Sequence, residues 1–253
     1  MSFASLLLFF YIVFLTLSSG TNVVDAKKHS FVYTPYSYNK STKKFILLVP
    51  EIVTIEKENK NKNNYISIDP GLRTFLNCTT DKSYIEIGTN IRDKLKKELN
   101  KIDKIEEHKK GIRKRRYLKI MRNKIKNQVN DSHWKIIDYL TTTYKTIIIG
   151  KWSTKSIISK KNKVLCNLDK RVVQTLSFFQ FTQKLKYRCL IKNVNLKIIE
   201  EHYTSKMCTS CGNLKKDLGG NDSYCCEKCN LNIKRDYNGA RNIFLKSIKE
   251  LNI

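Results

Sequence analysis

The sequence predicts an α/β chain with a small cysteine-rich satellite module. Short β-branched runs alternate with longer segments of helical periodicity, and one run, Thr146–Ile149, is apolar throughout, as strands at a sheet centre are. Five of the eight cysteines crowd between Cys208 and Cys229. At 253 residues the chain is long enough for one substantial core and one such module.

The first strand candidate is Phe45–Val49, which Pro50 ends. Glu56–Asn64, a Lys/Asn/Glu run, reads as a solvated linker. Tyr65–Ile68 then alternates, with Ile66 and Ile68 on one face, and Asp69-Pro70-Gly71 reads as the turn that closes it. Arg73–Thr79 and Ser83–Ile87 add two short strands, so these three suggest an antiparallel meander. Ile91, Leu95, Leu99, Ile102 and Ile105 recur at helical spacing; Gly111 interrupts, and Ile112, Tyr117, Ile120, Met121 and Ile125 resume. That pattern predicts a helical hairpin over about 90–130. Further helices are expected at Ser132–Tyr144 (Trp134, Ile137 and Leu140 inward), Arg171–Arg188 (Val172, Leu176, Phe179 and Leu185 inward) and Tyr237–Leu251 (Ala240, Ile243, Phe244, Ile248 and Leu251 inward). Asn195–Glu201 reads as a strand. No internal repeat is visible.

Forty-nine Lys and Arg face 22 Asp and Glu, a formal charge of +27. An excess of this size points to a polyanion, because basic side chains release the counterions of a phosphate backbone. Lys109–Lys126 concentrates it, as a phosphate-tracking arm would, although a solvated charged face has the same composition. A membrane surface is the electrostatic rival. Leu6–Leu17 is an apolar run followed by small and polar residues at Ser18–Thr21, similar to a signal-peptide core but with no Lys or Arg before it. It reads as a secretory or anchor signal, as a buried element, or as an extension of a truncated coding frame, and the rest of the chain favours the last two.

Cys208-Thr-Ser-Cys211 and Cys226-Glu-Lys-Cys229 are two CxxC knuckles separated by the 14 residues 212–225. This spacing belongs to four-cysteine zinc sites, in which each knuckle turns two thiolates onto one ion. Such a closed site folds a module and leaves no open position for chemistry. Cys225 is a rival for Cys226, but only Cys226 keeps two residues between itself and Cys229. Cys78, Cys166 and Cys189 are isolated, so the cysteine pattern fits a reducing compartment better than a disulfide framework.

Asp69 ends a buried strand, Glu200 and Glu201 end another, and Asp236 lies between the second knuckle and the last helix. Carboxylates so placed can converge on hard divalent cations. On spacing alone, however, Asp69 reads as a turn residue and Asp236 as a helix N-cap.

Four segments together carry a resemblance. They are Ser67-Ile-Asp69-Pro-Gly71-Leu-Arg73-Thr-Phe75; His133-Trp134 leading to Ile147-Ile-Ile149-Gly150; Glu201-His-Tyr203-Thr-Ser205-Lys-Met-Cys208-Thr-Ser-Cys211-Gly212; and Cys226-Glu-Lys-Cys229 with Arg235-Asp236-Tyr-Asn238-Gly-Ala240-Arg-Asn242. Over residues 43–250 the chain resembles the C-terminal half of the TnpB and Fanzor family, transposon-encoded RNA-guided nucleases related to type V CRISPR effectors. The resemblance implies a ribonuclease H-like (RuvC) mixed sheet flanked by helices, interrupted by a zinc ribbon. It implies magnesium held by Asp69, Glu201 and Asp236 as catalytic residues, and structural zinc on Cys208, Cys211, Cys226 and Cys229. In bacterial members a glutamate closes the strand that here ends in Gly150; in the eukaryotic and viral branch a glutamate just before Tyr-Thr-Ser replaces it. Glu201 occupies that place, with Glu200 as the alternative, so the resemblance leans to the Fanzor-like branch.

The organisation expected on this basis has five parts. Residues 1–26 are the apolar segment, 27–64 a wedge-domain remnant and linker, and 65–206 the nuclease core with its hairpin at 90–130. Residues 207–231 form the ribbon, and 232–253 the last core segment and helix. Most of the family's guide-recognition lobe is missing, so the chain reads as N-terminally truncated. The expected partners are DNA and, by resemblance, a guide RNA, inside the cell in a nucleus or viral factory. Two other readings stay open: a catalytically decayed zinc-ribbon protein that binds DNA or RNA without cutting, and a secreted basic protein.

Overall fold

The alternation along Tyr65–Asp69 gives this strand two different faces, and the fold is built on both. The computed structural model describes residues 36–39, 44–47, 54–57, 62–108, 111–159, 165–200, 204–215 and 222–249. The chain divides into two compact units, Met1–Ile52 and Val53–Ile253. In the first, β1 (Tyr36–Asn39) and β2 (Lys44–Leu47) pair antiparallel, with Tyr36 opposite Leu47. The strand expected at Phe45–Val49 is thus one arm of a hairpin. The apolar run Leu6–Leu17 lies outside the described residues. No described helix is long and apolar enough to cross a membrane.

The second unit holds β3 (Asn63–Pro70), β4 (Leu76–Thr79), β5 (Tyr84–Ile87), α1 (Ile91–His108), α2 (Ile112–Thr143), β6 (Tyr144–Gly150) and α3 (Thr154–Ile158). It continues with α4 (Asn167–Leu176), α5 (Phe178–Ile191), β7 (Asn195–Ile199), β8 (Ser223–Cys225), β9 (Asn232–Lys234) and α6 (Arg235–Lys249). Five strands form one sheet in the order β5-β4-β3-β6-β7. The meander β3–β4–β5 is antiparallel, as expected, while β6 and β7 run parallel to β3. The mixed sheet flanked by helices is therefore present.

On one face of β3, Ile66 and Ile68 join a core with Phe75, Ile137, Leu140, Phe178 and Phe181, covered by α1, α2, α4 and α5. On the other face α6 lies across the sheet. Tyr65 stacks on Phe244 with ring centroids 4.0 Å apart, and the Ser67 hydroxyl donates to the Ala240 carbonyl at 2.8 Å. Two forked Arg–carboxylate pairs of opposite polarity tie α1 to α4. Arg92 on α1 reaches buried Asp169 with both bonds at 2.8 Å, and Arg171 on α4 reaches Asp103 at 2.7 and 2.9 Å.

The helices differ from expectation in three places. The hairpin's second arm and the helix expected at Ser132–Tyr144 are one continuous helix, α2, that runs directly into β6. No Gly or Pro interrupts 112–143, and the polar Asn130-Asp131-Ser132 step is satisfied locally. Ser132 donates to the Gln128 carbonyl at 2.9 Å, and Asp131 pairs with Lys135 one turn on at 2.8 Å. The inward stripe of α2 begins at Leu118 and runs through Ile125, Val129, His133 and Ile137. Ile112, Tyr117 and Ile120, expected inward, are 78%, 50% and 57% exposed, because they fall off the Leu118–Ile125–Val129 stripe onto other sides of the helix; Trp134 also faces outward. The helix expected at Arg171–Arg188 is two, broken at Ser177, whose φ is 49°. That break turns Phe179 outward.

The break strands the Leu176 carbonyl, and the His133 ring takes it up, with Nε2 3.0 Å away. This fixes Nε2 as the donor and leaves Nδ1 as acceptor toward Lys184, 3.4 Å away. Burial lowers the imidazole pKa from 6.5 to about 4; the Lys184 charge adds to this, and the Leu176 carbonyl opposes it. Unfolded chains therefore take up this proton first. The stability due to the neutral ring is complete above pH about 6.5 and is lost as the pH falls toward 4. Denaturant titrations at pH 7 and pH 4 are expected to differ by about 3 kcal/mol more in the native protein than in His133→Gln, which keeps a donor and does not titrate.

Candidate functional site

The two knuckles adopt the same backbone pattern. Gly212 N–H donates to the Cys208 carbonyl and Asn230 N–H to the Cys226 carbonyl, both at 3.0 Å. In return, Cys208 N–H donates to Asn213 at 2.8 Å and Cys226 N–H to Leu231 at 2.9 Å. Each turn needs a left-handed residue after its second cysteine, and Gly212 (φ 72°) and Asn230 (φ 56°) supply it. The sulfurs of Cys208, Cys211, Cys226 and Cys229 all lie within 4.8 Å of one another, with Cys208–Cys229 and Cys211–Cys226 at 3.6 Å. A tetrahedral thiolate site with metal–sulfur bonds near 2.3 Å has edges of roughly 3.8 Å, so the four sulfurs fit one metal ion. Backbone N–H groups of Cys229 and Lys228 lower the Cys226 thiol, while hydrogen bonds among the clustered sulfurs help to raise Cys229, so these thiols titrate as a set. Cys225 is not in this group; its sulfur bonds Asn232 across the β8–β9 ladder. Buried Tyr224 fills the module's small core and bonds the Lys206 carbonyl at 3.2 Å.

Of the acids, Asp69 and Glu200 stand at or just beyond the carboxyl ends of β3 and β7, and Asp236 stands in the first turn of α6. Asp69 lies near the end of β3, which continues through Pro70 rather than turning at Asp69. Its side chain points to the α6 face, and its Oδ2 lies 2.4 Å from the position a Cβ on Gly239 would occupy. The absent side chain of Gly239 is thus the space this carboxylate fills. Asp236 stands one turn before Gly239 in the first turn of α6, inside the helix rather than at its N-cap, where the helix dipole favours an anion. Residues three apart share a helix face, so Asp236 and the Asp69 carboxylate border one region. Ser205 Oγ lies 3.8 Å from the same Gly239 position.

The third acid is placed less directly. Ile68 pairs with Ile149, and Gly150 with Ile199, so the residues after β7 emerge beside Gly150 and Asp69. Glu200 follows at once and forms an ion pair with Lys151. Glu201 lies outside the described residues.

Several residues without an assigned role in the sequence reading hold this arrangement. Asn238 and Asn242, fully buried and one turn apart on α6, grip the segment entering the ribbon. Asn238 accepts from Thr209 N–H at 3.0 Å and donates to the Met207 carbonyl at 2.7 Å, while Asn242 donates to Thr204 and Met207 at 2.8 and 2.6 Å. Their i,i+4 spacing within Asn238-Gly-Ala-Arg-Asn242 was the available signal. Across the sheet, Asn77 stands opposite Asp69 and accepts the Tyr84 hydroxyl at 2.7 Å. Burial first, then the Glu86 and Asp236 charges, hold the Tyr84 hydroxyl protonated far above its ordinary range. No sequence motif marks Asn77 or Tyr84; only strand register reveals them.

Two family models match the chain: "Probable transposase" over residues 33–158 and "Cas12f1-like, TNB domain" over residues 178–243. TnpB-like protein L79 of Acanthamoeba polyphaga mimivirus is 38% identical over 228 residues, covering 84% of this chain and 42% of the relative. The CRISPR-associated endodeoxyribonuclease Cas12f1 of Sulfoacidibacillus thermotolerans is 30% identical over 88 residues, 34% of this chain and 20% of that protein. The chain thus spans less than half the length of these relatives. Among solved structures, a Cas12f1–sgRNA–target DNA complex aligns with a TM-score of 0.52 at 18% identity, covering 75% of this chain and 51% of that one. That likeness is one of fold, and it is compatible with the mixed sheet flanked by helices described above.

Proposed function

The chain belongs to the TnpB family of transposon-associated proteins, and on that premise we propose that it is a metal-dependent DNA endonuclease acting through Asp69, Glu201 and Asp236. The observation that supports this most is the Asp69 carboxylate seated in the gap at Gly239, one helical turn from Asp236. Glu201 is assigned as the third acid because Glu200, its neighbour, is engaged with Lys151.

An oxygen-only donor set at strand ends suits magnesium, and four thiolates suit zinc, which gives the two sites different metals. Magnesium bound by the acids would supply a polarised attacking water and charge stabilisation at the leaving 3′ oxygen. The protein's own share is positional. The sheet fixes Asp69, α6 fixes Asp236, and Asn238 and Asn242 hold the segment that follows Glu201. The ribbon, with zinc as its structural ion, anchors that segment. By its relatives' example, the substrate is DNA and a guide RNA is a partner. The Fanzor-like branch is supported by Gly150 standing where bacterial members place their glutamate.

Cleavage of single-stranded DNA with magnesium is expected for the native protein, and Asp69→Ala is expected to lose at least about a hundredfold in rate. Equal cutting by the two proteins would overturn the assignment. The second reading, a non-cutting zinc-ribbon binder, is favoured by the same Gly150. It predicts salt-dependent DNA binding with no magnesium-dependent turnover.

A further inference from the structure

A groove of about 470 Å³ opens between the α1–α2 hairpin and the α4–α5 pair, on the Ile66–Ile68 side of the sheet. Arg122, Lys126, Arg171 and Lys184 line it, and no Asp or Glu is among its described lining residues. Arg122 and Arg171 are held from behind by Glu106 and Asp103. Lys184 is different. It is partly buried, which lowers its pKa, and its hydrogen-bond partners are neutral: Asn130 Oδ1 at 2.5 Å and His133 Nδ1 at 3.4 Å. A cation withdrawn from water against neutral groups gains from an anion. The groove also receives the start of α5, a 14-residue helix whose Ser177 makes no side-chain cap.

One α2 face leads into this groove. Arg115, Lys119, Arg122 and Lys126 recur at helical spacing over 12 residues, a row roughly 16 Å long. A row that long fits a chain of phosphates better than one free ion. We propose that this groove and the row leading to it bind the phosphodiester backbone of a single nucleic-acid strand. The inference rests on the nucleic-acid reading above but uses none of its carboxylates, of which Asp69 and Asp236 lie on the opposite, α6 face of the sheet.

The test is binding of a labelled 20-nucleotide single-stranded DNA between about 50 and 200 mM salt, without added magnesium. Lys126→Gln/Lys184→Gln is expected to reduce the log–log salt slope by about 1.4, two contacts at roughly 0.7 each. At low salt its affinity is expected to fall about tenfold. Lys126→Glu, an exposed change that leaves packing untouched, is expected to weaken binding on its own. Asp69→Ala is expected to keep the native slope. An unchanged slope and affinity in both groove variants, with zinc content intact, would overturn the proposal. So would a native protein that binds no oligonucleotide, or one in which inorganic phosphate raises Tm through Lys126 and Lys184 while the oligonucleotide slope stays the same. Binding that follows the prediction without any cleavage would leave the groove standing and remove the nuclease reading alone.

Discussion

Cys226→Ser is expected to lose stoichiometric zinc and to unfold the ribbon while the five-stranded sheet persists. Structural zinc in a four-ligand site contributes roughly 10–16 kcal/mol to folding its module, so one ligand in four is worth about 3 kcal/mol or more. The ribbon has little else to hold it: a core around Tyr224 and two three-residue strands. Metal analysis should therefore fall well below one zinc per chain, and hydrogen exchange should accelerate across 204–215 and 222–234. Far-UV circular dichroism should change little. Cys225→Ser is the control, because its sulfur faces Asn232 and lies outside the cluster; it is expected to keep full zinc. Equal zinc in both variants would show that the ligand set is wrong. Chelation of native protein should reproduce the Cys226→Ser exchange pattern.

Gly239→Ala separates stability from function. Alanine is the better helix residue by roughly 1 kcal/mol, and the atom its Cβ would meet is the free end of the Asp69 side chain. The helix therefore has little reason to unfold, and Tm is expected to stay within a few degrees of native. The Asp69 carboxylate, however, has to move by about an ångström from a position 2.4 Å from that Cβ. Misplacement on this scale costs on the order of a hundredfold in rate. Magnesium-dependent cutting is expected to fall by that amount, with oligonucleotide affinity unchanged. A variant that cuts like the native protein would mean that Asp69 does not work from this position.

Where one segment contains all its own determinants, the sequence was readable. The Ile66/Ile68 alternation, the apolar Thr146–Ile149 run and the CxxC pairs each carry their signal within a few residues, and all three reappear in the structure. What escaped depends on partners far along the chain. Nothing within 112–143 tells which of its apolar residues meets a partner, since that follows from where α1, α4 and α5 pack along α2. The break after Leu176 is stabilised by His133, 43 residues before it, and so is invisible to local periodicity. Asn77 acquires meaning only from the β3–β4 register that sets it opposite Asp69. For the candidate site, the positions of Asp69 and Asp236 followed from motif resemblance, whereas their closeness required α6 to cross the sheet.

The bond from Ser67 to Ala240 closes 173 residues of chain. Synthesis at roughly 5–20 residues per second takes on the order of 10–35 s to cover that distance. Through this interval β3 can pair with β4 and β6, but the face bearing Asp69 has nothing to dock against it. This face of the sheet is thus the last part of the described unit to be covered, once α6 is available. Until translation has passed α6, the polar face of β3 carrying Ser67 and Asp69 therefore waits uncovered, while the Ile66–Ile68 face can already be packed by α1, α2, α4 and α5.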